Sequence, residues 1–105
     1  MIKVEYFGTD PVYGFHITGH SDMNPEGPEI ICAAVSSAAY MTANTITEVI
    51  GLSPVIEVSD GDMYLKLQTE SEALRCRDIL DGMKLHLSSL AEQYPKYIKL
   101  INSEV

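Results

Sequence analysis

Two side chains in the first third of the chain could do chemistry together. The stretch "EIICAAVSSAAY", residues 29–40, carries Cys32, and the phrase "ITGH" ends at His20, twelve residues earlier. A thiol and an imidazole are the two halves of a nucleophilic acyl-transfer site. The thiolate attacks, and the imidazole, which titrates near neutral pH, takes the thiol proton and later delivers it to the leaving amine. Cys32 also has a local reason to ionise. Gly27 can serve as an N-cap, Pro28 suits the first helical position and Glu29 suits the positive end of a helix dipole, so a helix is expected to open there. Unpaired N–H groups in a first turn stabilise an anion and raise the thiolate fraction.

The plainer reading of a cysteine among alanines is a small buried hydrophobe. Cys76 illustrates it, sitting on the apolar stripe of a later helix, in its middle and far from its start. His16 alternates outward on a strand and His86 lies on the later helix, both in ordinary surroundings. His16, His20 and Cys32 show no recurring ligand spacing of the kind zinc sites use, so no metal and no cofactor is expected. From residue types and positions alone, the catalytic and the packing readings of Cys32 both stand.

The elements that must position these groups follow from periodicity. Residues 2–7, "IKVEYF", alternate Ile2, Val4 and Tyr6 against Lys3 and Glu5, as a half-buried strand does. "GTDP" signals a turn, and Tyr13, Phe15 and Ile17 then alternate with His16 and Thr18, giving an antiparallel hairpin. Residues 20–29, "HSDMNPEGPE", hold two prolines, one glycine and three acids without periodicity, which predicts a mobile loop. A helix is expected to about Ile50, with Ile31, Val35, Ala38, Ala39, Thr42, Ile46, Val49 and Ile50 as its apolar stripe and Gly51 as its stop. "PVIEVSDGDMYLKLQ" reads as a second hairpin whose Asp60-Gly61 suits a tight primed turn. A second helix is expected from about Ser71 to Gln93, capped by Thr69 or Ser71, with Cys76, Leu80, Met83, Leu87 and Leu90 on one face. "KYIKLI" is a short last strand. The order β-β-α-β-β-α-β predicts an α+β two-layer sandwich: two amphipathic helices on a mainly antiparallel sheet, one domain over residues 1–105.

Composition narrows the class. An apolar share of 46% is enough for a core without disulfide staples, so both cysteines are expected to be reduced. A net charge of −8 argues against nucleic acid as a direct partner, because phosphate binding needs clustered Lys and Arg, and only Lys96 and Lys99 approach a group. No apolar run was expected to approach the roughly 18–20 residues of a membrane span, and the N-terminus lacks a basic segment followed by an apolar one. The expectation is a cytoplasmic protein with no membrane partner. An acidic surface also steers a cationic ligand or peptide.

The strings "GHS" at 19–21 and "GPEIICAAVSSA" at 27–38 resemble the paired signature of the ribosomal-processing cysteine protease (Prp) family. Its members carry Gly-His-Ala, a loop, and Gly-x-Asp-x-x-Cys-Ala-Ala-Val-Ser. Gly19 and His20 match the first element; Gly27, Cys32, Ala33, Ala34, Val35 and Ser36 match the second. Ser21 stands where alanine is usual, and Glu29 replaces aspartate with the same charge. The resemblance implies a cysteine endopeptidase that removes the N-terminal extension of large-subunit ribosomal protein twenty-seven, cutting after Phe and before a small residue. It implies Cys32 as nucleophile, His20 as general base and Ser36, one turn beyond Cys32, as a supporting residue. The loop of Ser21, Asp22, Met23 and Asn24, then Pro25, Glu26, Gly27 and Pro28, would gate the substrate. A homodimer is likewise implied. The competing readings are a non-catalytic assembly or interaction protein that binds a basic ribosomal segment, and a redox-sensing thiol, which would have no need of His20.

Overall fold

A computed structural model describes residues 1–19 and 29–104. Five strands form one sheet: β1 (Ile2–Phe7), β2 (Gly14–Thr18), β3 (Val55–Ser59), β4 (Asp62–Lys66) and β5 (Ile98–Ser103), in spatial order β3-β4-β2-β1-β5. The β1–β2, β2–β4 and β3–β4 pairs are antiparallel, and only β1–β5 is parallel. The strand β5 runs on to Ser103, past the expected end at Ile101, because its ladder with β1 continues to the Phe7–Ser103 pair. Alternation does what it predicts. Ile2, Val4, Tyr6, Phe15, Ile17, Met63 and Leu65 turn to one face and are buried beneath the helices.

The helix α1 (Glu29–Asn44) continues as a π-helical segment (Thr45–Ile50) that stops at Gly51, whose φ is 84°. Both Gly51 and Leu52 donate to the Ile46 carbonyl, at 3.1 and 3.0 Å. The wider turn advances each residue through a smaller angle than an α-helix does. The expected stripe therefore holds through Ile46 and then drifts: Val49, placed on it by the sequence, is 79% exposed. Together the two segments make a 22-residue helix, Glu29–Ile50, with an 18-residue window of mean hydropathy 1.3. By length and composition that is long and apolar enough to cross a membrane, which corrects the expectation from the sequence. Its Ala, Ile, Val and Met residues keep the average high, and Ile31, Val35, Ala39 and Ile46 pack into the core.

The second expected helix is two: α2 (Glu70–Arg75) and α3 (Arg77–Gln93), separated at Cys76, where φ is −103° and ψ is 9°. Thr69 caps α2 by accepting from the Glu72 N–H at 3.2 Å, and Glu72 reaches back to accept from the Gln68 N–H at 3.1 Å. That is the reciprocal logic of a capping box, displaced by one residue. The bend at Cys76 lets Ala73 on α2 and Leu80, Met83 and Leu87 on α3 all reach the core. Each fully buried Leu there stabilises the fold by about 1.5–3 kcal/mol. Cys76 is thus buried as expected, but at a helix junction rather than in mid-helix.

Among the described residues, one polar atom in this core is without a partner. Tyr6 is fully buried against the helices and its hydroxyl finds no hydrogen-bond partner among them, while burial pushes the phenol above its usual range. A buried donor left unsatisfied costs about 1–3 kcal/mol. Tyr6→Phe keeps the ring, and its contact with the Lys84 ammonium 5.6 Å from the centroid, while removing the orphan. The urea midpoint of Tyr6→Phe is expected to equal or exceed that of the parent. A loss above about 1 kcal/mol would reveal a partner for the hydroxyl.

Candidate active site

Cys32 is the fourth residue of α1, so it lies in the first turn of that helix, where N–H groups have no partner four residues back within the helix. It is half-buried, packed against the edge of the core and still reachable from solvent. One turn on, Ser36 is also half-buried and shares its flank of the helix. The expected pairing of these two on one face is what α1 delivers. Ala33 and Ser37 are exposed, whereas Ala38 and Ala39 are buried where α1 meets its neighbours. The opposite flank of α1 faces α3 across an apolar cavity of about 530 Å³, lined by Ala34, Ser37, Met41, Ile79, Gly82 and His86 among others. That cavity is therefore distinct from the Cys32 surface. His86, which the sequence left ordinary, is on its wall.

His20 and the loop residues 21–28, including Gly27 and Pro28, lie outside the described residues. What the structure does fix is the residue before His20. Gly19 follows β2 with φ at 87°, donates its N–H to the Gly61 carbonyl at 3.0 Å, and would place a Cβ only 2.3 Å from the Met1 carbonyl oxygen. It is held between the β3–β4 turn and the residue that precedes β1, and only glycine fits. The Gly61 side of this grip is the β3–β4 turn. Asp60-Gly61 does make a two-residue connection, since Ser59 pairs with Asp62, but only Gly61 takes positive φ (73°). A primed type I turn needs positive φ at both residues, so the expected geometry is corrected there.

His16 is more engaged than alternation suggested. Its Nε2–H donates to Asp62 Oδ1 at 2.9 Å, and its ring stands edge-on to Tyr64, centroids 5.5 Å apart. No local signal could have found a contact across 46 positions of sequence. Among the described residues, no group of three or more His, Cys, Asp or Glu side chains could hold a metal ion.

The two thiols differ in access. Cys76 is 1% exposed and burial pushes its thiol up, only partly offset by the neighbouring Arg75 charge, whereas Cys32 is half-buried. Iodoacetamide is expected to modify Cys32 in the native protein and Cys76 at least about a hundredfold more slowly, as only opening of the fold exposes the latter. Peptide mapping by mass spectrometry reads both rates; equal rates would contradict the packing described.

A reachable thiol in the first turn of a helix, laid over a five-stranded mixed sheet, is an arrangement that a small cysteine protease can use. The chain belongs to the Cysteine protease Prp family, whose model matches residues 1–99. The ribosomal processing cysteine protease Prp of Bacillus subtilis (strain 168) is 20% identical over 94 residues, 85% of this chain and 84% of that protein. The crystal structure of the essential ribosomal processing protease Prp from S. aureus with a substrate peptide is similar at a TM-score of 0.84 and 22% identity. It covers 98% of this chain and 100% of that one. A second S. aureus Prp structure, with a covalently linked product peptide, aligns at a TM-score of 0.77 and 26% identity, over 98% of this chain and 100% of that one. Family membership decides for an enzyme over the non-catalytic and redox-sensing readings.

Proposed function

We propose that this protease removes the N-terminal extension from the precursor of large-subunit ribosomal protein twenty-seven, cutting after Phe and before a small residue, by a dyad of Cys32 and His20. The observation that carries this reading is Cys32 itself, half-buried in the first turn of α1 in a chain whose residues 1–99 match the Prp family. A B. subtilis relative is a ribosomal processing protease, and S. aureus Prp has been captured with a substrate peptide and with a covalently linked product peptide.

In the reaction, the Cys32 sulfur attacks the scissile carbonyl carbon and the carbonyl oxygen becomes an oxyanion. Backbone N–H groups at the start of α1 are suited to receive that charge. His20 holds the thiol proton and passes it to the departing amine, leaving a thioester on Cys32. Water then attacks the thioester, His20 takes its proton, and the acid product leaves as the thiol is restored. Ser36, on the same flank one turn away, supports the site. Residues 21–28 connect His20 to α1 and act as the gate over the substrate. One unit of residues 1–105 carries all of this, without a metal, a cofactor, nucleic acid or membrane, in the cytoplasm. The −8 charge favours approach of a basic ribosomal substrate. The working form is a homodimer: Ile30 and Met41 are exposed on the cavity side of α1, apolar surface of the kind a second copy covers.

The test is to incubate the purified protein with the full precursor and with a precursor whose junction Phe is replaced by Asp. Intact-mass analysis should show one cut, after Phe, in the first and none in the second. An uncut precursor, or cutting elsewhere, would overturn the assignment of substrate.

A further inference from the structure

The base of the proposed dyad is one residue after Gly19, so whatever holds Gly19 holds the backbone that leads into His20. Gly19 is the last rung between β2 and the β3–β4 turn, and the last rung of a ladder opens first unless something fastens it. The His16–Asp62 pair is that fastener. In the β2–β4 register Thr18 lies opposite Asp62 and His16 opposite Tyr64, so the His16–Asp62 contact of 2.9 Å is a diagonal bond spanning the final three rungs. Tyr64, edge-on to the imidazole at 5.5 Å, keeps the ring turned toward Asp62. Asp62 is joined in sequence to Gly61, whose carbonyl accepts the Gly19 N–H at 3.0 Å.

We propose that His16 and Asp62 are positioning residues for the protease: their bond clamps the end of the β2–β4 ladder and thereby fixes the backbone from which His20 departs. The inference rests on His20 being the general base. His16 and Asp62 side chains are 31% and 43% exposed. A pair that open to solvent adds little to global stability, at most about 1 kcal/mol. Its contribution is local order, and a small misplacement of a catalytic group lowers turnover far more than it lowers stability.

The experiment compares Asp62→Ala, His16→Ala, the double variant and Asp62→Asn with the parent. For cleavage of a peptide spanning the Phe junction, each single Ala variant is expected to lose about tenfold or more in kcat with KM little changed, as a positioning role requires. The double variant should be no worse than either single one, because the two side chains make one bond. Asp62→Asn keeps an acceptor for His16 and should restore most of the activity. Hydrogen exchange at the Gly19 amide, read by NMR, should quicken about tenfold or more in both Ala variants, with amides in the middle of β2 unchanged. Unchanged Gly19 exchange overturns the clamp whether or not the protein cleaves the peptide. Losses that multiply in the double variant, or parent-like kcat in the single ones, overturn its role in catalysis. His20→Ala separates the two ideas: if that variant keeps full activity, the dyad reading fails, while the Gly19 exchange result still judges the clamp.

Discussion

Cys32→Ala is expected to lower kcat for cleavage of a Phe-junction peptide by at least about a thousandfold, to the level left by binding alone. His20→Ala should lose nearly as much, because without the base the sulfur is ionised less and the leaving amine gets no proton. The two residues act as one unit, so the double variant should be close to the worse single one rather than their product. None of the three should unfold the protein. Cys32 is half-buried at the edge of the core, and exchanging its sulfur for hydrogen removes little apolar area. Unchanged thermal midpoints would therefore assign the losses to chemistry. A Cys32→Ala protein that keeps a tenth of parental turnover would contradict the nucleophile.

The largest stability effect is expected far from the thiol, at Gly14. This residue lies in β2, the central strand, paired with Phe7 of β1 on one side and Lys66 of β4 on the other. A Cβ there would sit 2.0 Å from the Leu65 carbonyl oxygen and 2.8 Å from the Lys66 Cα. Both are backbone atoms of the neighbouring strand, so relief requires β4 to leave the ladder. Gly14→Ala is expected to lose more than about 4 kcal/mol, a large share of the roughly 5–15 kcal/mol that holds a domain of this size. Gly82→Ala is the matched control. Gly82 is inside α3 with nothing within 4 Å of its would-be Cβ, so alanine there should raise stability by about 1 kcal/mol through helix propensity. Urea unfolding followed by circular dichroism reads both. A Gly14→Ala midpoint near that of the parent would contradict the described closeness of β2 and β4.

Much of this architecture was legible because burial follows local periods. Alternation at Ile2, Val4 and Tyr6 and the four-and-three spacing of Leu80, Met83 and Leu87 gave the right faces. What escaped depends on contacts that a window of sequence does not contain. Val49 carries the right residue type for the stripe and is nevertheless exposed, since the switch to π geometry after Asn44 is decided by how the chain must reach Gly51. The break at Cys76 has no Pro or Gly to announce it; two short runs of core contacts, Ala73 before it and Leu80 after it, bend the helix. Parallel pairing of β5 with β1 links the two ends of the chain and has no local sign at all.

The candidate site divides in the same way. The expected Gly27 cap and Pro28 start lie outside the described residues, and α1, described from Glu29, has Cys32 in its first turn. The grip on Gly19 does not follow from local sequence, because it is made by Met1 and Gly61, from opposite sides in space and from distant positions in sequence. Asp60-Gly61 announced a turn but not that its carbonyl would hold the residue before His20. The glycine of the Gly-His motif is therefore demanded by the sheet.

In the proposed dyad one sulfur, that of Cys32, is the attacking atom and His20 activates it. The direct measurement is covalent labelling by a short peptidyl chloromethyl ketone ending in Phe, followed by intact mass and peptide mapping. The account predicts one adduct per chain, on Cys32, formed at least about a hundredfold more slowly in His20→Ala and absent from Cys76. An adduct on any other residue, or labelling of Cys32 at the same rate in His20→Ala, would contradict it.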